Sequence, residues 1–90
     1  MTKQELIAQI AERTGLTKAQ AEKALNATTS TITDALAEGE SVTLVGFGTF
    51  KIHRREARTG RNPQTGGAVQ IPAGFVPKFS AGQGLKDAVN

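Results

Sequence analysis

The stretch "RTGRNPQTGG", Arg58 to Gly67, constrains this chain more than any other. It carries two arginines, with glycine and proline between and beyond them, and no side chain able to anchor a core. Strand-like alternation flanks it on both sides. Phe50 and Ile52 alternate with Thr49, Lys51 and His53 before it, and Val69 and Ile71 alternate after it. Asn62-Pro63 and Thr65-Gly66-Gly67 supply turn chemistry between the two runs. The pattern predicts a long basic hairpin that stands away from any core. From Lys51 to Arg61, at about 3.3 Å per residue, it would reach about 36 Å.

If about 20 residues form such an arm, about 70 remain to build a body, and domains of about 60 residues are marginal alone. The pattern predicts two opening helices. Thr2 and Glu5 form a capping box before Leu6, Ile7, Ile10 and Ala11, and Gly15 stops that helix. Thr17 and Gln20 repeat the box, with Leu16 placed as a hydrophobic staple. The second helix sets Ala21, Ala24, Leu25, Thr28, Ile32, Ala35 and Leu36 on one face, and Gly39 ends it. Thr28 on that face needs a backbone carbonyl one turn earlier for its hydroxyl. "SVTLV" (41–45) reads as a strand and "GFG" (46–48) as a tight turn with Phe47 at its centre. Pro72 marks an edge or a break. Phe75, Val76 and Phe79 return to alternation, and Ser80 with Gln83 reads as a cap before a short final helix. Two helical faces and one sheet face with Phe47, Phe50 and Phe79 are too little to close a core. A symmetric dimer is the simplest remedy.

Charge divides along the chain. Residues 1–40 hold four basic and six acidic groups, net −2; residues 51–79 hold six basic groups against Glu56 alone, net +5. That asymmetry points to a polyanion, although a merely solvated basic face has the same composition. Catalysis has little support. His53 is the single histidine, with no carboxylate or cysteine patterned around it, and reads as a solvent-facing strand residue. "GFGTF" lacks the third glycine of a dinucleotide fingerprint, and "GRNPQTGG" lacks the Lys-Ser/Thr ending of a phosphate-binding loop. With no cysteine, disulfides and thiolate zinc sites are excluded. The sequence implies no metal, cofactor or small-molecule substrate. No apolar run suits a membrane span, and "MTKQELIAQI" does not read as a signal peptide, so a cytoplasmic setting is expected. Asn26-Ala27-Thr28 matches a glycosylation sequon, read here as chance. A two-stranded basic ribbon suits a groove of duplex DNA, and arginine suits a narrow minor groove. The lack of Tyr and Trp argues against a stacking platform for single strands. A sequence-specific ribbon regulator, or an assembly protein whose arm clasps another protein, remains open at this point.

The stretches "LVGFGTF" (44–50), "RTGRNPQTG" (58–66), "PKFSAG" (77–82) and "LKDAVN" (85–90) resemble the HU branch of the HU/IHF family of bacterial nucleoid proteins. The resemblance covers essentially the whole chain. It implies an α+β fold over 1–90: a helical dimerisation part (1–40), a three-stranded antiparallel sheet with an extended β-arm (41–82), and a C-terminal helix (83–90). It also implies an intertwined homodimer that compacts the nucleoid by bending double-stranded DNA. In this pattern Arg55, Arg58 and Arg61 match the basic residues of the arm. Asn62 and Pro63, with Gln64 beside them, match its tip, where the proline wedges between base pairs. Lys3 and Lys86 match body positions that meet phosphates, although both could be ordinary surface lysines. Lys51, His53, Arg54 and Lys78 add charge that partly compensates for basic residues the pattern has elsewhere, although not in position. Phe47, Phe50 and Phe79 match an aromatic cluster, and Leu25, Ile32, Leu36 and Leu44 complete the expected dimer core. The chain departs from the pattern where members commonly carry a basic residue, at Gly67, Phe75, Ser80 and Gln83. It departs again where they carry aliphatic residues, at Thr28 and Thr29.

Overall fold

A computed structural model describes every residue except Pro63 and Thr65. The element order is α1 (Lys3–Thr14), α2 (Lys18–Ala37), β1 (Val42–Leu44), β2 (Gly48–Arg55), β3 (Arg58–Arg61), β4 (Ala68–Ile71), β5 (Gly74–Ala81) and α3 (Gln83–Val89). The chain divides into two compact units, Met1–Ala35 and Leu36–Asn90.

In the first unit the helix signals work as chemistry. The Thr2 hydroxyl accepts from the Glu5 amide at 3.2 Å, which satisfies one donor left orphaned at the start of α1. Gly15 ends the helix at φ 76°, a left-handed conformation that side chains disfavour, and its N–H returns to the Ala11 carbonyl. At α2 the box is reciprocal. The Gln20 amide donates to the Thr17 hydroxyl at 3.1 Å, and the Thr17 amide donates to Gln20 Oε1 at 3.0 Å. The threonine run survives inside a helix because its hydroxyls donate to carbonyls of the preceding turn. Thr28 reaches Ala24 at 2.8 Å, as its placement required, and Thr31 reaches Ala27 at 2.7 Å. Ile7 and Ala21 are buried. Leu25 and Ile32 are only half-buried, while Leu6 and Leu16 are exposed. A groove of about 400 Å³, lined by Met1, Thr2, Lys3, Leu6, Leu25 and Thr29, leaves the apolar stripe partly open.

In the second unit, β1, β2 and β5 form an antiparallel sheet in the order β1-β2-β5, and β3 and β4 form a separate two-stranded ladder. The first strand is shorter than the alternation of "SVTLV" predicts, because a turn takes Val45. That turn is not centred on Phe47. The Phe47 amide donates to the Leu44 carbonyl at 2.9 Å, so Val45 and Gly46 occupy the corner and Gly46 takes φ 82°. Ser80 does not cap α3 either. Strand β5 runs on through Ala81 and the helix starts from Gly82, which has no side chain to offer. The orphaned amides use the turn instead: Gly82 N–H donates to the Phe47 carbonyl at 2.8 Å and Leu85 N–H to the Gly46 carbonyl at 3.1 Å.

Candidate nucleic-acid interface

The register of β2 against its neighbours sorts every side chain of the sheet. Phe50 faces Phe79 and Val42, Ile52 faces Pro77, and Gly48 faces Ala81 and Leu44. Opposed residues share a face, so this face is apolar until Arg54 meets Phe75 at its far end. Phe79 binds the aromatic cluster together, with its ring centroid 5.5 Å from Phe47 and 4.8 Å from Phe50. Its ring also lies over Gly48, where an added Cβ would stand 2.5 Å from Phe79 Cζ. The face is nonetheless uncovered within one chain. Leu44, Phe47 and Phe79 are 41%, 47% and 43% exposed.

The opposite face reads Thr43, Thr49 and Ser80, then Lys51 with Lys78, His53 with Val76, and Arg55 with Gly74. It contains no acidic residue. Lys51 and Lys78 stand directly across from one another. Like charges in that position destabilise a sheet, and a bound polyanion would reverse the sign. From the sequence Lys78 counts only as compensating positive charge; the pairing register is what brings it to Lys51.

The arm is not the continuous ribbon that alternation suggested. Pairing stops after Arg55↔Gly74 and resumes at Arg58↔Ile71. The two residues skipped on one strand, Glu56 and Ala57, oppose two on the other, Pro72 and Ala73, so the register is kept across the gap. Pro72 has no N–H to give the ladder, which accounts for the interruption. Arg55 spans it: its Nε donates to the Pro72 carbonyl at 3.3 Å, and one guanidinium nitrogen lies 3.1 Å from where a Cβ on Gly74 would sit. Arg54 pairs with Glu56 at 3.3 Å, both well exposed.

Beyond the break, Arg58 lies opposite Ile71 and Arg61 opposite Ala68. Three residues apart on a strand, they point to opposite faces of the ribbon. Thr59 and Gln70 pair across it, with Gln70 Nε2 3.5 Å from the Thr59 hydroxyl. At the tip, Asn62 Oδ1 accepts from the Gln64 amide at 2.9 Å. The Asn62 backbone is also bonded both ways, its N–H to the Gly67 carbonyl at 2.8 Å and its carbonyl to the Gly66 amide at 2.7 Å. Asn62 therefore shapes the tip, with its side-chain oxygen already engaged. Gln64 is exposed. Pro63, the expected wedge, lies outside the described residues.

Lys86 stands exposed on the last turn of α3, and Gln83 on the same helix is bonded to Asp87 at 2.7 Å. Lys3 opens α1 in the other unit and is also exposed. Leu36, near the end of α2, is half-buried.

Comparison with known proteins fits this arrangement. A family model described as bacterial DNA-binding protein matches residues 1–90. DNA-binding protein HU-alpha of Vibrio proteolyticus is 60% identical over 89 residues, spanning 99% of each chain. DNA-binding protein HU of Lactococcus lactis is 59% identical over 87 residues, covering 97% of this chain and 96% of the relative. Among solved structures, an Anabaena HU–DNA cocrystal gives a TM-score of 0.93 at 47% identity, covering 99% of this chain and 97% of that one. With the helical pair, the polarised sheet and the broken arm all in place along its full length, the chain belongs to the HU family of bacterial DNA-binding proteins.

Proposed function

We propose that this chain is an architectural binder of double-stranded DNA that works as a homodimer and tolerates most sequences. The observation that carries the reading is the two-faced sheet. One face is basic, holds no carboxylate and sets Lys51 against Lys78. The other is apolar and exposed at Leu44, Phe47 and Phe79. A polyanion suits the first face and a second copy of the chain suits the second. The Anabaena relative crystallised with DNA supports duplex DNA as the polyanion. Phe47, Phe50, Phe79, Leu44, Leu25, Ile32 and Leu36 supply the dimer contact in this reading, each of them exposed or only half-buried in a single chain.

The arm supplies reach. Arg58 and Arg61, on opposite faces of a ribbon, engage the two walls of a minor groove. Lys51, Arg54, Arg55, Lys3 and Lys86 meet phosphates and fix orientation without reading bases. Pro63 wedges between base steps at the tip, a mechanism known for HU-type minor-groove proteins and carried to this chain by family membership. The role is structural, in the cytoplasmic nucleoid, with no reaction and no cofactor.

Affinity for several unrelated duplexes, measured across a salt series, tests the reading. Log affinity is expected to fall linearly with log salt, by about 0.9 per phosphate neutralised, with similar slopes for all sequences. Strong preference for one sequence would favour the rival, a sequence-specific regulator.

A further inference from the structure

Phe75 stands apart from the other aromatic residues. Phe47, Phe50 and Phe79 form one cluster, whereas Phe75 sits at the arm end of β5 and is 67% exposed. Its cross-strand partner is Arg54, and Arg55 follows on the same strand as Arg54. Arg54, Ala73, Gly74 and Phe75 line an open groove of about 210 Å³. A ring left in water forgoes the free energy of burial. An apolar protein surface is a poor occupant here, since covering Phe75 would also strip water from the guanidinium opposite it. A nucleotide matches both halves. Its base offers a flat π-face to the ring, and its phosphate offers an anion to the arginine. Glu56 occupies Arg54 in the free protein at 3.3 Å, but both groups are exposed, and a surface pair of this kind is weak enough to exchange for phosphate.

Within an intact duplex every base is covered above and below by its neighbours, and unstacking costs a few kcal/mol per step. A ring gains a base face cheaply only where the stack is already interrupted. We propose that Phe75 and Arg54 form a second DNA contact at the base of the arm, which takes the exposed base beside a gap while Arg54 meets the adjoining phosphate. The inference rests on the DNA-binding reading above.

The test compares a duplex carrying a one-nucleotide gap with its intact counterpart, for the wild-type protein, Phe75→Ala and Phe75→Trp. Phe75→Ala is expected to lower the preference for the gapped duplex about tenfold, the scale of one base–aromatic stack. Affinity for the intact duplex stays unchanged. Phe75→Trp is expected to keep the preference. Because the chain has no tryptophan, its emission also reports directly, changing more on gapped than on intact DNA. Equal loss on both duplexes, or no loss on either, overturns the inference while leaving DNA binding in place. So does a Phe75→Ala variant whose melting loses its dependence on protein concentration, since Phe75 would then be a contact between protomers. If the wild-type protein binds neither duplex, the DNA-binding reading itself fails.

Discussion

Arg55 Nε donates to the Pro72 carbonyl at 3.3 Å, directly across the place where the arm's ladder is broken. A residue expected only to supply charge therefore also ties the arm to the sheet. Lysine would keep the charge and lose the planar, preorganised donor. Arg55→Lys is expected to leave the salt slope of DNA binding unchanged. Amide exchange in Arg58–Arg61 and Ala68–Ile71 should quicken by about threefold to tenfold, in keeping with one net hydrogen bond of about 1 kcal/mol. Exchange measured by NMR on the free protein checks this; an unchanged rate would mean the bond does not brace the arm.

The Lys51–Lys78 pair gives a prediction of opposite signs. Lys78→Gln is expected to stabilise the free protein by a few tenths of a kcal/mol, because a like-charge contact across the strands is relieved. The same change should weaken DNA binding and flatten the salt slope by about 0.9 per protomer if one phosphate contact is lost. Thermal melting and a salt titration on the same variant read the two effects. A variant that is stabilised but binds DNA with an unaltered slope would remove Lys78 from the interface.

Gly48 tests the packing beneath the arm. An added Cβ would lie 2.5 Å from Phe79 Cζ and 2.6 Å from the Ser80 carbonyl, a backbone atom that cannot swing aside. Gly48→Ala is expected to destabilise by about 1–3 kcal/mol through overpacking. Gly60→Ala is the control. There the nearest atom is Ile71 Cδ1 at 3.2 Å, the far end of a flexible side chain. Its stability should stay within about 1 kcal/mol of wild type, since the strain is offset by the lower entropy of the unfolded chain. Chemical denaturation of both variants checks the contrast.

The uncovered faces predict obligate association. Melting temperature is expected to rise with protein concentration, because the folded protomer is stabilised by its partner through mass action. Sedimentation equilibrium should find dimers at micromolar concentration. A folded monomer there would contradict the assignment of Leu44, Phe47 and Phe79 to an interface.

The helices were legible because their signals are local. Thr2, Thr17, Gln20 and Gly15 cap through bonds to residues at most four positions away. Strand–strand register is a different kind of information. Alternation showed that Lys51 and Lys78 lie on strands, but only the pairing of Phe50 with Phe79 places the two lysines opposite each other. The Ser80–Gln83 spacing imitated a helix cap because it has the right composition. Pairing of β5 through Ala81 overrode it, and the turn carbonyls of Gly46 and Phe47 took over the work of the cap. Asn62 could be assigned to the tip from its neighbours, whereas its Asx bond to the Gln64 amide belongs to the folded turn.

The most direct test of the central claim is end-to-end energy transfer on a labelled duplex of about 35 base pairs, about three helical turns. Saturating wild-type protein is expected to raise transfer to the same level on unrelated sequences, as a bent duplex requires. Pro63→Ala should lower that level far more than it lowers low-salt affinity for a nicked duplex, if Arg58 and Arg61 hold the groove without the wedge as proposed. Transfer that stays at the value of free DNA when the wild-type protein is saturating would contradict the account.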